Sequence, residues 1–242
     1  DVCNHSCAFC SVQHRAGDSL PFSTVTGYLE TLIKYGLKAV ILSGGGNPIL
    51  YKNGGKDFND VVDWITGRGL EVGLITNGMP LVSYYLNPDG VYRKHTKVGE
   101  QRLSWASVHP ETLDKCTWIR ISLAGLDHEE RRVFVPDVRE PTALGYSYVA
   151  HDVYTEPLDK AHGKVSTRAD LLSVTREGDP IHRVWKFEDR IGDLVNSFVE
   201  YCGKYRPRYL RLLPNCLEPP LIAGRCEQLR KIAAVVNQEI GQ

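Results

Sequence analysis

A recurring rhythm of helix, glycine and short apolar run limits the folds open to this chain more than any other feature. A helical pattern over about Ser23 to Tyr35 is closed by Gly36 and followed at once by Lys38-Ala39-Val40-Ile41-Leu42-Ser43, which ends in glycines. A second helical pattern near Asp57 to Thr66, closed by Gly67 and Gly69, leads into Leu70-Glu71-Val72-Gly73-Leu74-Ile75-Thr76. Short apolar runs of this kind read as strands buried on both faces. Trp118 to Leu123, Ala143 to His151 and Tyr209 to Leu213 read as three more. Strands alternating with helices at this spacing predict βαβ units, right-handed crossovers and a parallel sheet covered by helices. The pattern alone leaves barrel and open sheet equally available.

The chain has 242 residues, 42% of them hydrophobic and 24% charged, which suits one large α/β domain over 1–242. No apolar run approaches the roughly 20 residues that a membrane span needs. No charged-then-apolar segment precedes Asp1, so a cytoplasmic location is expected. Lysine plus arginine equals aspartate plus glutamate at 29 each, leaving no footprint for a polyanion and nucleic acid unsupported as a partner. The basic spots at Arg131-Arg132 and Lys204 to Arg208 read as solvated helix ends.

In parallel α/β sheets ligands gather at the carboxyl ends of the strands. Polar and glycine residues cluster at those ends here: Ser43-Gly44-Gly45-Gly46-Asn47-Pro48, Thr76-Asn77-Gly78, Ser122, His151-Asp152 and Asn215-Cys216. Tyr146, Tyr148 and Arg211 join them as candidates on the substrate side. Two stretches break the rhythm, about 87–104 and 152–183. The second, an inserted region before the last strand, reads as a lid or a substrate-contacting loop, and equally as a disordered segment.

Seven cysteines is an odd number, and three fall within Cys3-Asn4-His5-Ser6-Cys7-Ala8-Phe9-Cys10. Thiolates so close suit one metal centre better than a disulfide framework. Soft sulfur selects zinc, copper(I) or an iron–sulfur cluster, and three ligands leave a tetrahedral zinc or a cubane cluster one short. His5 or His14 would close a zinc site, so spacing does not separate zinc from cluster. Cys116 and Cys202 read as buried structural thiols. Gly44-Gly45-Gly46 after a buried strand offers backbone N–H groups that a ligand can approach closely, and equally forms a tight turn.

In order along the chain stand the C-x3-C-x2-C loop, Ser-Gly-Gly-Gly-Asn-Pro, Thr-Asn-Gly and Ile-Ser-Leu-Ala-Gly. In these the chain resembles the radical S-adenosylmethionine superfamily over nearly its whole length. The resemblance implies a partial (β/α)6 TIM-like barrel. It also implies a four-iron four-sulfur cluster held by Cys3, Cys7 and Cys10, with S-adenosyl-L-methionine chelating the fourth iron. Phe9 would lie on the adenine side, Gly44, Gly45 and Gly46 at the methionine amino group, and Asn47 beside them. Asn77, Ser122, His151 and Asn215 would stand at strand ends near the ribose, the carboxylate and the rest of the rim. The chemistry implied is reductive cleavage of the cofactor to a 5′-deoxyadenosyl radical that abstracts hydrogen from a small molecule, nucleotide or peptide. A flavodoxin- or ferredoxin-type protein would supply the electron.

The chain departs from the family pattern in three places. Asn47 stands where a glutamate is common. Only Asp1 and Val2 precede the cysteine loop, so the first strand is expected to be truncated or unseen. Cys216 and Cys226, spaced C-x9-C, suggest an auxiliary cluster but supply only two ligands. A zinc-stabilised binding module without catalysis, and a cluster-bearing protein acting through contacts, are the alternatives.

Overall fold

The structure is a computed structural model. It describes residues 2–4, 7, 9–10, 17–78, 95–97, 100–102, 104–105, 107–127, 133–154, 184–216 and 219–241. Its centre is a parallel sheet of β1 (Ala39–Leu42), β2 (Glu71–Thr76), β3 (Trp118–Ser122), β4 (Ala143–Ala150) and β5 (Tyr209–Pro214). All neighbours are parallel and follow one another in chain order. Because the order never reverses there is no switch point of the doubly wound kind, and the sheet matches a partial TIM-like barrel. The sheet is not closed: among the described residues β1 and β5 each pair along one edge.

Alternation along each strand decides which face is buried. Val72, Leu74, Ile119, Ile121, Leu144, Tyr146 and Tyr148 point to one side, into a single apolar cluster. There they meet Phe58, Val62 and Ile65 of α2 (Phe58–Thr66), Phe187, Leu194 and Phe198 of α4 (Phe187–Tyr205), and Leu229, Ile232 and Val236 of α5 (Ile222–Ile240). Full burial of one such side chain stabilises the fold by about 1.5–3 kcal/mol. Helix α1 (Phe22–Lys34) contributes Leu29, and the short α3 (Pro110–Asp114) contributes Leu113.

Residues of opposite parity form an inner face. There the ring of Trp118 crosses its register partner Gly73, and that of Tyr209 crosses Gly145; a Cβ at either glycine would overlap the ring. Two mid-strand glycines are thus explained by flat aromatic cover near the amino ends of the strands. Nearer the carboxyl ends this face presents Arg120, Ser122, Ser147 and Arg211.

Helix α2 begins with a capping box, the Asp57 carboxylate accepting from the Asn59 and Asp60 backbone N–H groups while Asp60 accepts from that of Asp57. Buried Asn59 then ties α2 to the α3 segment. Its amide donates to the Ser107 carbonyl at 3.0 Å and accepts from the His109 N–H at 2.9 Å and the Thr112 hydroxyl at 2.8 Å.

Within 87–104, His95–Lys97 pairs antiparallel with Glu100–Arg102. Within 152–183 only the first three residues are described. Val153–Tyr154 pairs antiparallel with Val184–Trp185, and the expected lid over 155–183 lies outside the described residues. The base of this insertion is clamped by Arg225 of α5. Its guanidinium holds Asp152 at 2.7 Å and Glu188 at 2.5 Å and lies over the Phe187 ring. Asp152 also accepts from the Phe187 N–H at 2.9 Å. Among the described residues no helix is long and apolar enough to cross a membrane.

Candidate functional site

The cysteine loop is fastened to the carboxyl ends of β1 and β2. Val2 passes so close to Gly46 that a Cβ there would overlap the Val2 backbone, and the Asn47 N–H donates to the Val2 carbonyl at 2.8 Å. Only glycine permits that approach. Gly44, at φ 128°, needs glycine for a second reason, since this conformation disfavours a side chain.

Three asparagine side chains complete the fastening. Thr76 donates its hydroxyl to Asn47 Oδ1 at 2.7 Å; Asn47 Nδ2 donates to Asn77 Oδ1 at 2.9 Å and Asn4 Oδ1 at 3.2 Å. Asn77 Nδ2 donates to Asn4 Oδ1 at 2.9 Å and to Cys3 Sγ at 3.7 Å. The donors run in one direction, from Thr76 through Asn47 and Asn77 to sulfur, so each bond polarises the next. Within the loop, the Cys10 N–H closes a turn on the Cys7 carbonyl at 3.0 Å.

Across the strand ends the loop meets the rim through Phe9, whose ring stands edge-on to His151 with centroids 4.8 Å apart. His151 is buried at the end of β4. Its Nδ1 lies 2.8 Å from the Val149 carbonyl, which can only accept, so Nδ1 carries the proton; Nε2 lies 3.5 Å from Asp127 Oδ2. The other oxygen of Asp127 accepts from the Tyr148 hydroxyl and from Arg190, both at 2.7 Å. Burial, and then the Asp127 carboxylate beside it, push the Tyr148 hydroxyl well above the usual phenol range. Burial alone would lower Arg190, but Tyr148 and Asp127 outweigh it and hold the guanidinium charged. Asn215, buried at the end of β5, donates its N–H to the Ala150 carbonyl at 3.1 Å, and Ser122 ends β3 in register with Ser147.

Cys3, Cys7 and Cys10 are free thiols, all half-buried. Among the described residues no three His, Cys, Asp or Glu side chains converge closely enough to grip an ion, and His5 and His14 lie outside them. The chemistry of the donor set nonetheless fits an iron–sulfur cluster: three thiols in one loop, with an amide N–H already directed at the first sulfur and no carboxylate bonded to it. Burial pushes the Cys116 thiol up to about 12 and that of Cys202 up to about 11, which keeps both protonated, as structural thiols should be. Cys216 is exposed after β5 and Cys226 half-buried on α5. A cavity of about 710 Å³ opens beside the glycine turn on the helical side of β1, lined by Val2, Leu20, Val25, Leu42, Gly45 and Phe58 among others.

The structure thus brings Cys3, Phe9, Gly46, Asn47, Asn77 and His151 around one loop, while Ser122 and Asn215 stand farther along the rim. Sequence reasoning missed Asn4, Asp127 and Arg190. One signal was available for Arg190, which occupies the buried stripe of α4 with Phe187, Leu194, Phe198 and Cys202. A charge on an apolar stripe calls for a buried partner.

The model of the radical SAM superfamily matches residues 1–134, and the chain belongs to this family. It is 27% identical over 111 residues to an S-adenosylmethionine-dependent nucleotide dehydratase of Selenomonas ruminantium. That match covers 46% of this chain and 38% of the relative, so the chain spans well under half of the relative's length. A crystal structure of Streptococcus suis SuiB aligns over 88% of this chain and 47% of its own, at 15% identity and a TM-score of 0.38.

Proposed function

We propose that residues 1–242 form one radical S-adenosylmethionine core in which Cys3, Cys7 and Cys10 hold a four-iron four-sulfur cluster. The observation that carries this reading is the C-x3-C-x2-C loop fastened by neutral amides to the ends of β1 and β2. When bound, the cluster and S-adenosylmethionine supply the 5′-deoxyadenosyl radical that abstracts a substrate hydrogen. The chain's own residues position that chemistry. Gly46 and Asn47 hold the loop, Asn77 donates to the Cys3 sulfur, and Phe9 presents an aromatic face braced by His151. Gly44 and Gly45 leave backbone groups open toward the methionine end of the cofactor, while Ser122 and Asn215 border the far side. A flavodoxin- or ferredoxin-type donor reduces the enzyme. Of small molecule, peptide and nucleotide, the likeness to a nucleotide dehydratase favours a nucleotide.

Anaerobic reconstitution tests the reading. Iron and acid-labile sulfide in equal amounts, with absorbance near 400 nm and 5′-deoxyadenosine released under reducing conditions, are the expected results. The Cys7→Ala variant should lose both cluster and release. Colourless protein binding zinc alone would overturn the proposal in favour of a zinc-stabilised binding module.

A further inference from the structure

The arginines packed against the sheet are of two kinds. On the helical side Arg190 and Arg225 are almost wholly buried, and each holds a carboxylate at 2.7 Å. On the inner face Arg120 and Arg211 have no hydrogen-bond or ion-pair partner among the described residues; one guanidinium nitrogen is enclosed without an acceptor in each of Arg120, Arg190 and Arg225, but of these three only Arg120 also lacks a carboxylate on its other nitrogens. A guanidinium charge with no counter-charge against it costs free energy that the native fold would ordinarily recover by pairing it. Its persistence here points to a partner that arrives from outside.

Register places the two side chains in one field. Arg120 stands opposite Ile75 on β2 and Gly145 on β4; Arg211 stands opposite Ser147, itself opposite Ser122. Two strand spacings and a two-residue offset put their Cα atoms roughly 12 Å apart, a gap that two arginine side chains can close on one multiply charged group. Gly145, on the strand between them, carries no side chain and lies under the Tyr209 ring. The sheet's one acid of this parity is Glu71, at the amino end of β2 opposite Ala39, four residues below the Arg120 level. At strand rise that is about 13 Å away. The carboxyl half of the inner face is therefore cationic and rich in hydroxyl donors, although the whole chain carries no net charge.

We propose that the inner face carries an anion subsite in which Arg120 and Arg211, with the Ser122 and Ser147 hydroxyls, hold the phosphate groups of the substrate. Arginine's planar fork suits phosphate oxygens bidentately, and two forks suit a diphosphate or larger group. This inference rests on the proposed function, deepening it by naming a phosphorylated substrate, and it is tested without turnover.

Inorganic pyrophosphate is the probe, titrated calorimetrically into the full-length protein, with citrate as a carboxylate of similar charge. The expected result is saturable pyrophosphate binding, weakened about tenfold or more in each of Arg120→Met and Arg211→Met, with Arg120→Lys intermediate. Arg211 is exposed, so its variant guards against misfolding at Arg120, and a thermal melt checks both. No binding by the wild-type protein, or unchanged affinity in Arg211→Met, overturns the subsite. Citrate binding as tightly as pyrophosphate overturns the phosphate assignment. Equal weakening of S-adenosylmethionine binding in the same variants overturns it too, by reassigning the arginines to the cofactor. Absence of iron and sulfide in the reconstituted protein would instead sink the proposed function while leaving pyrophosphate binding as measured.

Discussion

The two sides of the strand-end rim are fastened by different chemistry. The cysteine loop is held by neutral groups, the amides of Asn4, Asn47 and Asn77 and the hydroxyl of Thr76. The far side is held by buried charge: Asp127 among Arg190, Tyr148 and His151, and Arg225 between Asp152 and Glu188. A neutral hydrogen bond contributes about 1 kcal/mol, whereas removing one member of a buried ion pair costs about 3–5 kcal/mol because the other is left uncompensated. The contrast suits the two tasks. The amide of Asn47 donates toward the loop without adding charge. On the far side paired charges fix the rim.

Breaking the far side should have the largest effect. Asp127→Asn leaves Arg190 buried without its counter-charge and should lower the thermal midpoint by on the order of 10 °C in a chain of this length, read by calorimetry. A midpoint within 2 °C of wild type would show that the two sides do not differ as described. Next comes Gly46→Ala, whose methyl group meets the Val2 backbone rather than a side chain that could turn away. It should cost about 1–3 kcal/mol and lower the iron bound on reconstitution.

The amide clamp should yield more gently. Asn77→Ala removes one donor to Cys3 and one to Asn4, for about 1–2 kcal/mol. In the reconstituted protein it should also lower the reduced-to-oxidised ratio at fixed potential, because N–H bonds to sulfur favour reduction. A redox titration followed by electron paramagnetic resonance reads this, and an unchanged midpoint would remove Asn77 from the sulfur.

The smallest effect separates buried thiols from loop thiols. Cys116 titrates near 9 when unfolded but is pushed up to about 12 by burial, so the folded state keeps its proton longer. Its contribution is complete below pH 9 and is lost as pH rises from there toward 12, by about 1 kcal/mol at pH 10. Cys116→Ala should flatten that alkaline limb in urea melts, and an unchanged limb would assign it to other groups.

Much of this was legible along the chain. The five apolar runs became the five strands within a residue or two, but burial on both faces, expected from the runs, holds only along β2 and β4; β1 and β5, at the edges, stay exposed on alternate residues. The cysteine loop and the glycine turn were legible as motifs, and Gly46 as a place of close approach. What approaches it was not: Val2 lies 44 positions away and comes near only once β1 is in place. His151 was expected on the rim, but its bracing by Asp127, an acid just past β3, appears only when β3 and β4 lie side by side.

The sequence by itself determined where the strands fall along the chain, the cysteine spacing and the family, since each depends on local period or on short motifs. Only the tertiary structure decided that Asn4, Asn47 and Asn77 form one clamp, that Arg190 and Arg225 are paired, and that Arg120 and Arg211 face the open side without partners among the described residues. Those outcomes depend on which strand parity points inward and on contacts between distant segments. A parallel sheet fixes both at once, through a register that no single stretch of chain contains.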